Sequence, residues 1–253
     1  MKRSFVIIPL IVSGFLTTPD HQKIAYRHYK GEHDKVVVIA HGFYNSKDAV
    51  LLKQLADSLT DKYDVLMFDF RGHGKSSGLY TWTSREEKDL KAALDFVEGK
   101  YKKVGIIAFS LGASIAINTL SHGSKADSLI CVSAASDPNK VDYQLWKLNL
   151  KGDLAYTLFT AEGWKGRGFR AGPFWLKKEK PIDNVAKLNL PILFIHGEKD
   201  WVIRPWHSQV LYDKVQSSKK LLIIKNGSHA EYLMKDFREE FLPEVKSWFE
   251  STL

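Results

Sequence analysis

Cysteine is almost missing: Cys131 is the single thiol in 253 residues. One thiol closes no disulfide within the chain and builds no CxxC zinc cluster, so a reducing, cytoplasmic setting fits. No apolar run is long enough to span a bilayer. The start, Met1-Lys2-Arg3 followed by Phe5 to Val12, has the charge and length of a secretory signal. Pro9 interrupts it and no small-x-small cleavage site follows, so a first strand is the simpler reading. Export or membrane attachment through residues 1–12 is the alternative. Repeats, linkers and homopolymer tracts are also lacking. With 44% hydrophobic and 26% charged residues, disorder is excluded and one globular domain is expected. Acidic residues are the scarcer charges, 29 against 37 basic ones, giving a net +8. The cations are scattered, without a basic helix, a zinc finger or an aromatic RNA-binding signature, so nucleic acid is not an expected partner. The histidines show no ligand spacing of the His-x-x-x-His kind, and no metal or cofactor is called for.

What is present is an alternation of short apolar strands and longer amphipathic stretches, the pattern of an α/β fold. Strands are expected at Ile11 to Thr17, Lys23 to Tyr29, Val36 to His41, Asp64 to Phe70, Val104 to Phe109, Ser128 to Ala134, Ile192 to His196 and Leu221 to Lys225. Several are unbroken apolar runs, as buried parallel strands are. The turn Thr18-Pro19-Asp20-His21 favours a hairpin, so the sheet should begin antiparallel. Helices are expected at Lys47 to Leu59, Ser84 to Val97, Leu111 to Leu120, Pro205 to Val215 and Leu233 to Phe249. Together they predict a doubly wound, mostly parallel eight-stranded sheet with functional loops at the carboxyl ends of its strands. Between Asp137 and Pro191 the alternation lapses, over a stretch too long for a plain connection and rich in aromatic residues. The core is therefore assigned to 1–138 and 181–253, with a cap or lid inserted at 139–180.

The chemistry centres on Val104-Gly-Ile-Ile-Ala-Phe-Ser110-Leu-Gly112, an apolar strand that meets a helix with a serine at the joint. This is the pattern of a nucleophile elbow. A sharp strand-to-helix turn lifts the hydroxyl clear, and small residues two before and two after, Ala108 and Gly112, let strand and helix approach. Alanine stands where glycine is usual, the mildest departure. A serine hydroxyl is a poor nucleophile and needs an imidazole to take its proton, with a carboxylate to fix the tautomer. Asp200 follows one strand end, in Gly197-Glu198-Lys199-Asp200, and His229 follows another, in Gly227-Ser228-His229. Glu198, Asp213 and Glu231 are rival carboxylates. Attack also creates an oxyanion that needs preorganised backbone donors, expected from Leu111 and from Phe43 in the turn His41-Gly42-Phe43-Tyr44. His41 is read as a brace for that turn, and His73, in Asp69-Phe70-Arg71-Gly72-His73-Gly74-Lys75-Ser76, as architecture.

Those segments together, His41-Gly42, Asp69-x-Arg71-Gly72-His73-Gly74-x-Ser76, the Ser110 elbow, His196-Gly197-x-x-Asp200 and His229, resemble the α/β-hydrolase superfamily over about Lys23 to Phe249. The subgroup most resembled is that of cap-bearing esterases and monoacylglycerol-lipase-like hydrolases, with a likeness to feruloyl and cinnamoyl esterases at His41-Gly42-Phe43. The resemblance implies nucleophile Ser110, acid Asp200, base His229, oxyanion donors Phe43 and Leu111, and cleavage of small to medium acyl or aromatic esters. Tyr44, Trp146, Trp164 and Trp201 are the expected substrate contacts. From Asn139 to Lys180 there are nine Lys and Arg against four Asp and Glu, a balance that repels a cationic amine and attracts anionic acyl groups or an anionic surface. Other readings are a thioesterase or monoacylglycerol-type lipase, an aminopeptidase of the proline-iminopeptidase type, and a non-catalytic binder on a hydrolase scaffold.

Overall fold

The structure is a computed structural model that describes residues 9–140, 166 and 168–253. Eight strands run in chain order: β1 (Leu10–Thr17), β2 (Lys23–Lys30), β3 (Lys35–Ala40), β4 (Asp64–Phe68), β5 (Lys103–Phe109), β6 (Ser128–Val132), β7 (Ile192–Gly197) and β8 (Lys219–Ile224). They form one sheet in the order β1-β2-β4-β3-β5-β6-β7-β8. The sheet is mixed. β1 pairs antiparallel with β2 through the hairpin, β2 pairs antiparallel with β4, and every later pairing is parallel.

The helices are α1 (Val50–Leu59), α2 (Glu87–Val97), α3 (Leu111–Ser121), α4 (Trp206–Lys214), α5 (Tyr232–Asp236) and α6 (Arg238–Thr252), with a short turn of helix at Pro181–Asn184. Alternate residues of each central strand point to opposite faces, and both faces are covered. Val36, Val38 and Ala40 pack with α2, α3 and α4, while Val37 and Ile39 pack with α1 and α6. That double burial is why β4 and β6 are buried at every position and read as continuous apolar runs.

β4 and β6 end, and β8 begins, two residues earlier than the sequence pattern predicts, and three helices differ by more. α1 begins at Val50 rather than Lys47, because Ala49, with ψ of 135°, is still outside the helical conformation, while the Lys47 N–H donates to the Asp69 carboxylate at 2.7 Å. α2 begins at Glu87 rather than Ser84, because Trp82 and Thr83 stand at positive φ and the Ser84 N–H closes that turn by donating to Thr81 O; the Glu86 carboxylate accepts from the Thr81 N–H at 2.6 Å. The expected last helix is two, separated at Phe237, whose φ of −134° is not helical. Most of the expected cap, residues 141–165 and 167, lies outside the described residues. Its described end is tied to the loop after β4: Arg170 N–H donates to Gly72 O, and Tyr80 N–H donates to Arg170 O. No helix among the described residues is long and apolar enough to cross a membrane.

Candidate active site

Ser110 stands between β5 and α3 with φ 54° and ψ −123°, a conformation that costs an L-residue on the order of 1–3 kcal/mol and persists only where its surroundings impose it. Two contacts impose it here. The Ser110 N–H donates to Val132 O at 2.8 Å, and the first turn of α3 hangs from the Ser110 carbonyl through the Ala113 N–H at 3.0 Å. Gly112 is required by proximity: a Cβ there would lie 2.3 Å from the His41 carbonyl oxygen. Ala108, the departure from glycine, puts its methyl into the core and stands fully buried. Parallel pairing with β3 and β6 on either side leaves the serine at the carboxyl edge of the sheet centre.

His229 Nε2 lies 3.0 Å from Ser110 Oγ, and His229 Nδ1 lies 2.7 Å from Asp200 Oδ2. The three residues on separate loops meet in the order hydroxyl, imidazole, carboxylate. Asp200 is 1% exposed, and its other oxygen accepts from the Val202 and Ile203 N–H groups at 2.9 Å each. Burial opposes its ionisation, but the imidazoles of His229 and His196 outweigh that and hold the carboxyl well below the usual carboxylate range. The Nε2–H of His196, fully buried, donates to Ile203 O at 2.8 Å and lies 3.2 Å from Asp200 Oδ2. On the other side of His229, the Ala230 N–H donates to Ser133 Oγ at 3.0 Å, pinning the turn to the end of β6. Of the rival carboxylates, Glu198 accepts from the Asn226 N–H, Asp213 from Gln209, and Glu231 from the Asn45 amide.

The turn after β3 presses on the serine: a Cβ at Gly42 would lie 3.0 Å from Ser110 Cβ. Among the described hydrogen bonds, neither the Phe43 nor the Leu111 N–H donates to a backbone or side-chain acceptor, and Leu111 heads α3, where amides lack intrahelical partners. Two buried histidines hold the turn. His41 donates from Nδ1 to the Gly42 carbonyl at 2.7 Å and accepts from the Phe70 N–H at Nε2. His73 donates from Nδ1 to Arg71 O and accepts from the Tyr44 N–H at 3.3 Å. Burial pushes His41 down to about 4 and His73 to about 3, each neighbouring imidazole disfavouring a second charge in the case of His73. Both rings stay neutral in the folded protein at ordinary pH.

Above Ser110 opens a cavity of about 650 Å³ with a predominantly apolar lining. Phe43, Tyr44, Leu111 and Trp201 line it, as the sequence analysis places them at the site; Trp146 and Trp164 lie outside the described residues. Trp82, Phe174, Lys178 and Ile203 also line it and were not singled out. Trp82 gives no signal in a linear reading, because it reaches the cavity from the loop before α2, stacked 5.1 Å from the Phe43 ring. Phe174 belongs to the aromatic-rich stretch, where its neighbour Trp175 is indistinguishable from it by residue type.

The mixed sheet, the serine between β5 and α3 and the loops gathered at its carboxyl edge define an α/β-hydrolase. Residues 31–161 and 178–234 match the hydrolase family described as serine aminopeptidase, S33, and the chain belongs to that family. The uncharacterized protein YqkD of Bacillus subtilis (strain 168) is 29% identical over 183 residues, 66% of this chain and 56% of that protein. The human mitochondrial palmitoyl-protein thioesterase ABHD10 is 25% identical over 244 residues, 88% of this chain and 74% of that protein. The esterase Pf2001 of Pyrococcus furiosus superposes with a TM-score of 0.78 at 23% identity, covering 96% of this chain and 93% of that one. This chain spans about half the length of several of the curated relatives it matches, YqkD among them.

Proposed function

We propose that this protein hydrolyses carboxylic esters of small to medium acyl or aromatic groups through an acyl-enzyme, with Ser110 as nucleophile, His229 as base and Asp200 as the carboxylate that orients it. The observation that carries the reading is the pair of contacts at one imidazole, 3.0 Å to Ser110 Oγ and 2.7 Å to Asp200 Oδ2. With Asp200 ionised, His229 keeps its proton on Nδ1 and offers a lone pair at Nε2 to the serine hydroxyl. Ser110 Oγ attacks the ester carbonyl carbon as its proton passes to His229. The carbonyl oxygen becomes an oxyanion, stabilised by the amides of Phe43 and Leu111. His229 then protonates the departing alcohol, and a water molecule attacks the acyl-serine by the same route to release the acid.

The apolar cavity with aromatic walls supports an acyl chain or ring as the group retained. A thioester reading is favoured by one observation, the similarity over 88% of the chain to a protein named as a palmitoyl-protein thioesterase. The test is a panel of esters, thioesters and aminoacyl amides of graded chain length, assayed with the wild-type protein and S110A. Fastest turnover of an ester, abolished in S110A, is expected; preferred cleavage of aminoacyl amides would replace the ester reading with a peptidase one.

A further inference from the structure

Among the large apolar side chains that stand exposed, Phe43, Tyr44, Leu79, Phe174 and Trp175 lie on loops at the carboxyl ends of the strands, and four of these five are aromatic. The two most exposed, Phe174 at 65% and Trp175 at 74%, sit side by side in one turn with ring centroids 5.3 Å apart. The turn reads Pro173-Phe174-Trp175-Leu176-Lys177-Lys178. Its closure is internal: Lys178 Nζ donates to the Phe174 carbonyl at 2.7 Å, which holds a cation on the backbone of the turn. Lys177 beside it is exposed. Phe174 and Lys178 also line the catalytic cavity, so the turn stands at its mouth.

The acidic groups near this turn are already engaged. Glu179 faces His122 and accepts from Asn184, and Asp137 pairs with Lys180. Among the described residues, the turn therefore presents two large rings together with lysine charge that no described carboxylate pairs. An indole and a phenyl ring held in water favour transfer to an apolar phase. Tryptophan suits the boundary between headgroups and acyl chains, and neighbouring lysines meet anionic headgroups. Neither signal alone binds a membrane firmly, but the two act together. The other exposed apolar cluster, Leu10, Ile11 and Phe15 on the edge strand β1, has exposed Lys30 across the ladder from Leu10, but it carries a single ring and none of its residues lines the cavity.

We propose that the 173–178 turn seats the cavity mouth on an anionic phospholipid surface, so that an acyl substrate passes from the lipid into the site without crossing water. What enters rests on the ester-hydrolase reading; the docking itself does not. The full-length chain is sedimented with sucrose-loaded vesicles of phosphatidylcholine alone and of phosphatidylcholine with phosphatidylglycerol, at low ionic strength. The wild-type chain sediments with the anionic vesicles and far less with the neutral ones. The double variant W175S/K177E, at positions outside the cavity lining, loses roughly tenfold or more of that partitioning and keeps its turnover of a soluble short-chain p-nitrophenyl ester. I11S/F15S binds as the wild-type chain does. Equal sedimentation of wild-type and W175S/K177E protein, release of I11S/F15S in its place, or no sedimentation at all overturns the proposal. S110A separates the two readings: vesicle binding with undiminished ester turnover in S110A sinks the catalytic assignment and leaves the docking, whereas lost turnover with no vesicle binding does the reverse.

Discussion

His41 and His229 both follow a strand closely and both stand beside Ser110, yet the two sides of the site use imidazole in opposite ways. On the side built from residues 41–46 and 69–76, His41 and His73 each donate to a backbone carbonyl and accept from a backbone amide. An imidazole so placed has both nitrogens committed as a neutral ring, and a second proton would break the bond it accepts. On the side built from residues 196–231, His229 faces a carboxylate at one nitrogen and a hydroxyl at the other. In the proposed reaction that ring gains a stabilised cation as it takes the serine proton. The partners, rather than the residue type, separate a scaffold histidine from a proton carrier.

Removing the groups around His229 should have the largest effect. S110A should lower kcat for a short p-nitrophenyl ester by a factor on the order of 10⁴ or more, with the thermal midpoint little changed. D200N should cost on the order of 10³ to 10⁴ in kcat, because an amide no longer fixes the Nδ1–H tautomer. A rate within tenfold of wild type in either variant contradicts the assignment. On the scaffold side the effect should be smaller and of another kind. H73A removes the acceptor of the Tyr44 N–H, loosening the turn that supplies the Phe43 amide, so kcat should fall roughly 10- to 100-fold while KM changes little. A loss confined to KM would place His73 in substrate binding instead.

Stability experiments probe the same contrast with smaller changes. G112A forces a methyl against the His41 carbonyl and should destabilise the fold by about 1–3 kcal/mol in urea titrations. Acid titration separates the two kinds of group. His41 takes its proton near 6.5 when unfolded but only near 4 when folded, so the unfolded chain binds more protons between those values. Stability should therefore fall as pH drops from 6.5 towards 4, by roughly 3 kcal/mol from this group alone. Asp200, held below its ordinary value by its imidazole neighbours, contributes stability that persists above pH 3.8 and is lost only below it. A unfolding free energy constant from pH 6.5 to 4 would contradict the buried neutral state of His41.

The central strands β3 to β7 were legible because each apolar run is buried on two faces, and the Ser110 elbow because strand, small residues and helix follow one another within a few positions. Asp200 and His229 were legible as strand-end residues, although their meeting is a property of the fold. Long-range partners escaped a linear reading. Nothing near Ser133 signals that its hydroxyl anchors Ala230, 97 residues away, and nothing in Trp82 signals its stacking on Phe43. The break at Phe237 was hidden because apolar spacing continues across it at Met234, Phe241 and Val245, all buried on the same face of the sheet. His196 stands in the sequence only as part of the His196-Gly197-x-x-Asp200 segment, with no role assigned, yet it lies against the carboxylate of Asp200.

The central claim is that Ser110 is made nucleophilic by His229. Its most direct measurement is peptide mapping by mass spectrometry after treatment with a fluorophosphonate, which reacts only with an activated hydroxyl. A single adduct on Ser110 is expected in the wild-type protein, retained in W175S/K177E and lost in H229A. An adduct on another serine, or equal labelling of Ser110 without His229, would contradict it.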